Sequence, residues 1–173
     1  MNYKKNRYKY PVEELTVYAK EALERRGVKL EEIAEIIYEL QGSYIEDLDL
    51  ETCMHHLNKV LEKREVVHAI LTGIAIDELA ERDMFDDPIL SIIKSDEGLY
   101  GIDEILPLSI VNIYGSIGLT NFGYLDKEKI GIIKMLDRSK DNVVNTFLDD
   151  IVAALAAASA SRLAHSYQKK EDA

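Results

Sequence analysis

The feature that most constrains the fold is a long apolar segment, rich in alanine and serine, near the carboxyl end of the chain. It spans about residues 142–165 and contains the run IVAALAAASASRLAH directly after two adjacent aspartates, Asp149 and Asp150. Small side chains at a contact let two helices approach closely. We therefore predict that residues 142–165 form the central apolar helix of a bundle, with the other helices packed around it.

The rest of the chain carries apolar residues at helical spacing, and no stretch shows the sustained alternation of a β-strand. Gly73 lies inside one strongly apolar stripe, where it indicates close packing against a neighbouring helix. The sequence therefore predicts an all-α fold, a compact multi-helix bundle. Four of the predicted surrounding helices begin near Pro11, Ile33, Asp49 and Lys63, and Asp49 is expected to cap its helix. Three further helices are predicted over residues 89–93, 102–117 and 127–136, and we expect Pro107 to bend the second of these.

The length of 173 residues favours one domain. We assign residues 1–10 to a basic tail, 11–165 to a single helical domain and 166–173 to a frayed polar tail. The chain has 21 basic and 32 acidic side chains, which give a formal charge of -11. That charge would repel the phosphates of nucleic acid, so we expect no nucleic-acid partner.

The chain has a single cysteine, Cys53, so it forms no internal disulfide. Its start has no apolar segment typical of a signal peptide, and no run of about 18 apolar residues predicts a membrane-spanning segment. We therefore expect a cytoplasmic location, with peripheral attachment to the membrane as the alternative. Several wholly apolar helix faces also favour a homo-oligomer.

Asp149 and Asp150 are the strongest candidates for a functional site. At about 100° per residue, Asp150 falls in line with Phe147 and Ala154, which are core positions. Asp149 falls on the next strip, with Ala153 and other small residues beside it. Both carboxylates are therefore predicted to be buried, and burying ionised carboxylates costs several kcal/mol unless cations or shared protons compensate.

A divalent metal ion, Mg²⁺ in particular, is one form of compensation, because Mg²⁺ prefers hard oxygen ligands. Asp103 and Glu104 also precede an apolar helix and provide a candidate opposing wall. Other interpretations stay open: Asp149 and Asp150 paired with Lys or Arg, and Asp103 and Glu104 favouring a helix dipole. No nucleophile elbow, phosphate loop, dinucleotide fingerprint or zinc spacing is present.

Two segments carry a family resemblance. DEGLYGIDE (96–104) and LDRSKDNVVNTFLDDIVAA (136–154) are similar to the DxG…xDE and DR…xDDxxAG segments of the phosphatidylglycerophosphatase A family. The visible resemblance covers roughly residues 65–165. By this resemblance, the acidic cluster of that family falls on Asp103, Glu104, Asp149 and Asp150. A further segment of the family, which would contact the substrate, falls on Asp126 and Lys129.

The resemblance implies a Mg²⁺-dependent phosphatase that hydrolyses a phosphomonoester, with phosphatidylglycerophosphate, converted to phosphatidylglycerol in phospholipid metabolism, as the candidate substrate. Its four acids would act as catalytic residues and ligands for Mg²⁺ or another divalent cation. The partner would be a phosphorylated small molecule or a lipid head group. Asp126 has a second interpretation, as a cap for a helix that begins at Lys127.

The chain departs from the pattern of the family on the phosphate side. Gly123 stands where the family has arginine, and Ile130 and Ile132 stand where it has prolines. The early GTxGS motif of the family has only a faint echo in Gly42 and Ser43. These departures favour an alternative from another class: a helical binding or regulatory protein that keeps the fold without the chemistry.

Overall fold

The computed structural model describes residues 8–138 and 142–171, with side chains as far as Tyr167. Within these ranges the chain is helical, with short connections and no β-strand, which confirms the all-α class. Residues 1–7 of the predicted basic tail, residues 172–173 and residues 139–141 lie outside the described ranges. The helices are α1 (Val12–Arg25), α2 (Leu30–Gln41), α3 (Leu50–Leu61), α4 (Arg64–Glu81), α5 (Ile89–Ser95), α6 (Ile102–Val111), α7 (Gly115–Glu128), α8 (Gly131–Asp137) and α9 (Leu148–Glu171).

Helix α9 is the central helix, as the sequence predicts. It packs against α2, α3, α4, α6, α7 and α8, and every residue from 146 to 161 is buried. Its bounds differ from the prediction. The helix begins at Leu148 rather than near residue 142, and Val143 is 47% exposed. At the other end it continues through Glu171, past the predicted end at residue 165.

Two predicted local features are confirmed. The Asp49 carboxylate caps α3 by accepting a hydrogen bond from the backbone N–H of Thr52 at 2.7 Å. Gly73, on α4, lies where a methyl group would collide with the side chain of Ile151. Because glycine has no Cβ, α4 can approach α9 closely at this point.

The segment predicted as one helix over residues 102–117 is two helices. Helix α6 contains Pro107, continues past it and ends at Val111. A 3-10 turn over Asn112–Tyr114 then leads to α7. The break falls at Gly115, whose φ of 73° is left-handed, and not at Pro107.

By length and composition alone, Ile102–Glu128 is one stretch apolar enough to cross a bilayer, with a mean hydropathy of 1.3 and 28% of that window buried.

The predicted short helix over residues 127–136 is also wrong in its bounds. Helix α7 continues to Glu128, and α8 begins only at Gly131. Lys129 separates them in a left-handed conformation, with φ 48° and ψ 63°. The chain turns at Lys129, so both Lys129 and the last turn of α7 face the start of α9.

Candidate active site

Asp149 and Asp150 lie in the first turn of α9, not in the middle of a helix. Both are buried, 5% and 4% exposed, which confirms the burial that the sequence predicts. The Asp77 carboxylate, on α4, caps this helix start. It accepts hydrogen bonds from the backbone N–H groups of Phe147 at 3.1 Å and Leu148 at 3.0 Å. This cap explains why the helix begins at Leu148.

Asp77 is a residue that the sequence analysis missed. It is fully buried, and burial raises its pKa to about 8, although the hydrogen bonds from Phe147 and Leu148 and the charge of Arg26 oppose that shift. Asp77 follows Ile70 and Ile74 on the apolar stripe of α4. The wheel argument that singled out Asp150 would therefore have found Asp77 as well.

The segment before α9 is held by a second set of polar contacts. Arg26 donates a hydrogen bond to the carbonyl oxygen of Val144 at 2.7 Å, and it forms an ion pair with Glu81 at 2.7 Å. Glu81 in turn accepts a hydrogen bond from the backbone N–H of Val144 at 2.9 Å. Residues from α1 and α4 therefore fix the chain immediately upstream of the aspartate pair.

Lys129 lies among the carboxylates. Its Nζ is 2.8 Å from Asp149 Oδ2, 3.6 Å from Asp150 Oδ1 and 3.1 Å from Asp126 Oδ1. Asp137 is more distant, with 4.0 Å between Oδ1 and the same nitrogen. The ion pair with lysine that the sequence left open is therefore present, and Lys129 joins α7, α8 and α9 at one point.

Asp126 lies in the last turn of α7, because that helix runs to Glu128. The interpretation of Asp126 as a cap for a helix beginning at Lys127 is therefore wrong. Lys129 itself adopts a left-handed backbone conformation that residues other than glycine rarely adopt. Unusual backbone conformations of this kind tend to cluster at functional sites, where surrounding contacts hold them.

The charges in this cluster shift one another. Burial raises the pKa of Asp149 and Asp150, and for Asp150 the neighbouring Asp149 carboxylate raises it further, while Lys129 opposes both shifts. Burial lowers the pKa of Lys129, but Asp149 and Asp150 outweigh that effect and leave the pKa above its usual value. The lysine therefore stays charged, and the aspartate pair retains a proton to higher pH than isolated aspartates do.

A cavity of about 160 Å³ opens beside Lys129. It brings together Asp103 and Glu104, from the first turn of α6, with Asp126, Lys129, Asp149 and Asp150. Asp103 is partly buried and Glu104 is exposed. The four acids that the sequence singled out, and both residues with a predicted role toward substrate, thus line one cavity. Asp96, a further lining residue, was not singled out, although it begins the quoted segment 96–104.

The donor set of this cavity suits a hard divalent cation. Among the described residues, seven carboxylates and a single ammonium line it. Asp103 Oδ1 and Asp150 Oδ1 are buried, and neither has a hydrogen-bond partner among those residues. Yet no three of the described His, Cys, Asp and Glu side chains are grouped to hold one ion as they stand. Ligation therefore requires these side chains to reorient around the Lys129 ammonium.

Gly42 and Ser43, the faint echo of an early motif, lie elsewhere. Ser43 lines a different cavity, together with Ala164 of α9. Ala164 is about 22 Å along the helix axis from Asp149, at 1.5 Å per residue. The structure therefore does not bring Ser43 to the acidic cavity.

The chain is similar in sequence and in fold to known proteins. The chain is 58% identical over 164 residues to the uncharacterized protein YpjQ of Bacillus subtilis, covering 95% of this chain and 92% of that protein. The crystal structure of ypjQ from Bacillus subtilis matches with a TM-score of 0.88, covering 92% of this chain and 99% of that one at 59% identity. The crystal structure of the low temperature requirement C protein from Listeria monocytogenes matches with a TM-score of 0.87 at 53% identity, covering 89% of this chain and 97% of that one.

The sequence model of one family, described as phosphatidylglycerophosphatase A, matches residues 27–165. The match begins well before residue 65, where the visible resemblance starts, so it includes α2, α3 and the whole of α4. It also contains every acidic residue of the cavity together with Lys129. The chain belongs to the phosphatidylglycerophosphatase A family.

Proposed function

We propose that this protein is a divalent-cation-dependent phosphatase that hydrolyses a phosphomonoester at the cavity beside Lys129. One observation carries the proposal: the half-buried ammonium of Lys129 lies 2.8 Å from the buried Asp149 carboxylate, in a cavity whose other charged groups are all carboxylates. Family membership supports the reaction class, and phosphatidylglycerophosphate is the candidate substrate. Mg²⁺ is the proposed cation, because the available donors are carboxylate oxygens.

Asp103, Asp149 and Asp150 would hold the cation, with Glu104 at the exposed edge of the cavity. When bound, the cation supplies positive charge that polarises a phosphoryl oxygen and offsets the negative charge of the site. Without such a charge, the excess of carboxylates over Lys129 would repel a phosphate dianion. The proposed role of the cation is thus both electrostatic and chemical.

Lys129 would bind an oxygen of the substrate phosphate. Its ammonium is fixed by Asp126 and Asp149, so its direction is set before substrate arrives. Hydrolysis forms a bond between a water oxygen and phosphorus and breaks the ester bond to the alcohol oxygen. A carboxylate that lines the cavity would accept the proton lost by the attacking water, and that proton would pass to the alcohol oxygen as its bond to phosphorus breaks.

The direct test measures phosphate release by purified protein with Mg²⁺ or Mn²⁺. The substrates are phosphatidylglycerophosphate in mixed micelles, glycerol phosphate and a generic aryl phosphate. We expect release from at least one substrate, and loss of that release in Asp150→Asn. Absence of release from every substrate would overturn the enzyme proposal and support the alternative of a binding or regulatory protein. Gly123, in place of the arginine of the family, favours that alternative.

A further inference from the structure

A second cavity, of about 980 Å³, lies between the carboxyl end of α2, helix α7 and the second half of α9. It is within the volume range of cavities that bind small molecules. Ala164 lines this cavity and lies about 22 Å along α9 from Asp149, at 1.5 Å per residue. This cavity is therefore separate from the acidic cavity and plays no part in the proposed reaction.

Two residues that line this cavity, Gln41 and Asn121, have side-chain amides without a hydrogen-bond partner among the described residues. Gln41 is only 6% exposed, and its side-chain amide makes no hydrogen bond with any described residue. Asn121 Nδ2, on α7, is buried and also has no partner among the described residues. Buried polar groups in folded proteins are nearly always hydrogen-bonded. Amides from two different helices that face one cavity indicate a ligand with groups that both donate and accept hydrogen bonds, such as hydroxyls.

The charged side chains and aromatic rings around the cavity indicate that its ligand is positively charged. The exposed carboxylates of Glu39 and Glu46 line it, and so do the tyrosine rings of Tyr44, Tyr124 and Tyr167. Among the described side chains, no lysine, arginine or histidine lines it. Carboxylates and aromatic rings both attract organic cations, and carboxylates repel anions.

We infer that this cavity is a second binding site, for a small hydroxylated organic cation of the amino-alcohol class. The amides of Gln41 and Asn121 bind its hydroxyl oxygen, and Glu39 and Glu46 attract its cationic nitrogen. The tyrosine rings provide the apolar and aromatic wall against which the alkyl groups on that nitrogen pack. This site would bind a cationic ligand without a metal ion, whereas the acidic cavity would bind an anionic phosphate through a metal ion.

The test is calorimetric titration of the full chain with choline, ethanolamine, glycerol and glycerol phosphate, without divalent cation. We expect saturable binding of choline or ethanolamine, at least tenfold weaker binding of glycerol, and none of glycerol phosphate. Asp150→Asn is the control, and it should bind choline as the wild type does. Binding of glycerol phosphate in preference to the cations, or no binding of either cation, would overturn the inference.

Two variants locate the binding within the cavity. Gln41→Met keeps the length and helical preference of the side chain but removes its amide, and we expect at least tenfold weaker choline binding. Glu39→Gln changes an exposed residue and should fold normally, so it tests the charge independently of packing. We expect several-fold weaker choline binding that is less sensitive to salt. Unchanged affinity in both variants would place the binding elsewhere and contradict the proposed site.

Discussion

The Asp77 carboxylate accepts a hydrogen bond from the backbone N–H of Leu148 at 3.0 Å, so an acid on α4 determines where α9 begins. This contact connects two helices that are far apart in the sequence. It also places Asp149 and Asp150 in a first helical turn, where unsatisfied N–H groups favour negative charge. The helix dipole therefore offsets part of the cost of burying the pair.

Replacement of Asp77 by alanine should destabilise the fold strongly. Asp77→Ala leaves two buried N–H groups without an acceptor, and we expect a loss of about 2–4 kcal/mol in the free energy of unfolding. Urea unfolding followed by circular dichroism measures it. The matched control is Asp49→Ala, which removes the exposed cap of α3 and should cost much less, because water can satisfy the freed N–H group. Equal losses in the two variants would contradict the importance of the buried cap.

The raised pKa of Asp77 predicts a specific pH dependence of stability. Its folded-state pKa is about 8, against a usual value of 3.8, so the folded state holds this proton more tightly than the unfolded state. The contribution of Asp77 is therefore complete below pH 4 and is lost as the pH rises toward 8, by up to about 1.4 kcal/mol per pH unit.

The measurement compares unfolding free energies of the wild type and Asp77→Asn between pH 5 and pH 9. We expect the difference between the two proteins to shift against the wild type as the pH rises to about 8, and to level off above that. A difference that is constant over this range would show that Asp77 does not titrate there.

Removal of the Lys129 ammonium from beside the buried aspartates should be costly. Lys129→Met leaves the buried carboxylates of Asp149 and Asp150 without their cation, and we expect a loss of about 2–3 kcal/mol, below the value for a fully buried ion pair because Lys129 is half-buried. Urea unfolding measures the loss, and addition of Mg²⁺ should restore part of it by replacing the missing positive charge. Lys94→Met is the control, since Lys94 pairs with Asp83 near the surface and should contribute no more than about 1 kcal/mol. A loss as small as that of the control would argue against a compensating role for Lys129.

Asp150 tests the proposed metal site directly. We expect Mg²⁺ to raise the melting temperature of the wild type, because an ion that binds only the folded state stabilises it. In Asp150→Asn this rise should disappear, while the metal-free variant melts no lower than the wild type. Glu46→Gln removes an acid far from the site and should keep the rise. A much lower melting temperature of metal-free Asp150→Asn, with the response to Mg²⁺ intact, would assign Asp150 to a structural ion pair.

Much of the fold and of the site could be predicted from local pattern. Helical spacing of apolar residues gave the all-α class and the central position of α9, and the wheel gave the burial of Asp149 and Asp150. The close packing at Gly73 and the Asp49 cap were also predictable, because each is indicated by one residue type at one position in a local helix pattern. The acids in the two quoted segments were recognisable as one cluster through the family resemblance.

The predictions failed where a contact between distant segments sets the local structure. The start of α9 depends on Asp77, more than 60 residues upstream, and no pattern within residues 142–148 reveals that cap. The turn at Lys129 is similar: carboxylates on other helices hold the ammonium in place, whereas the local apolar spacing predicted a continuous helix over residues 127–136.

The sequence by itself determined which residues are apolar, which acids interrupt apolar faces, and hence that those acids need compensation. Only the tertiary structure decided how they are compensated: Lys129 for Asp149 and Asp150, and the start of α9 for Asp77. The physical reason is that burial can be read from helical spacing along one segment. The partner of a buried charge, by contrast, comes from whichever helix packs against it, and packing is a property of the whole chain.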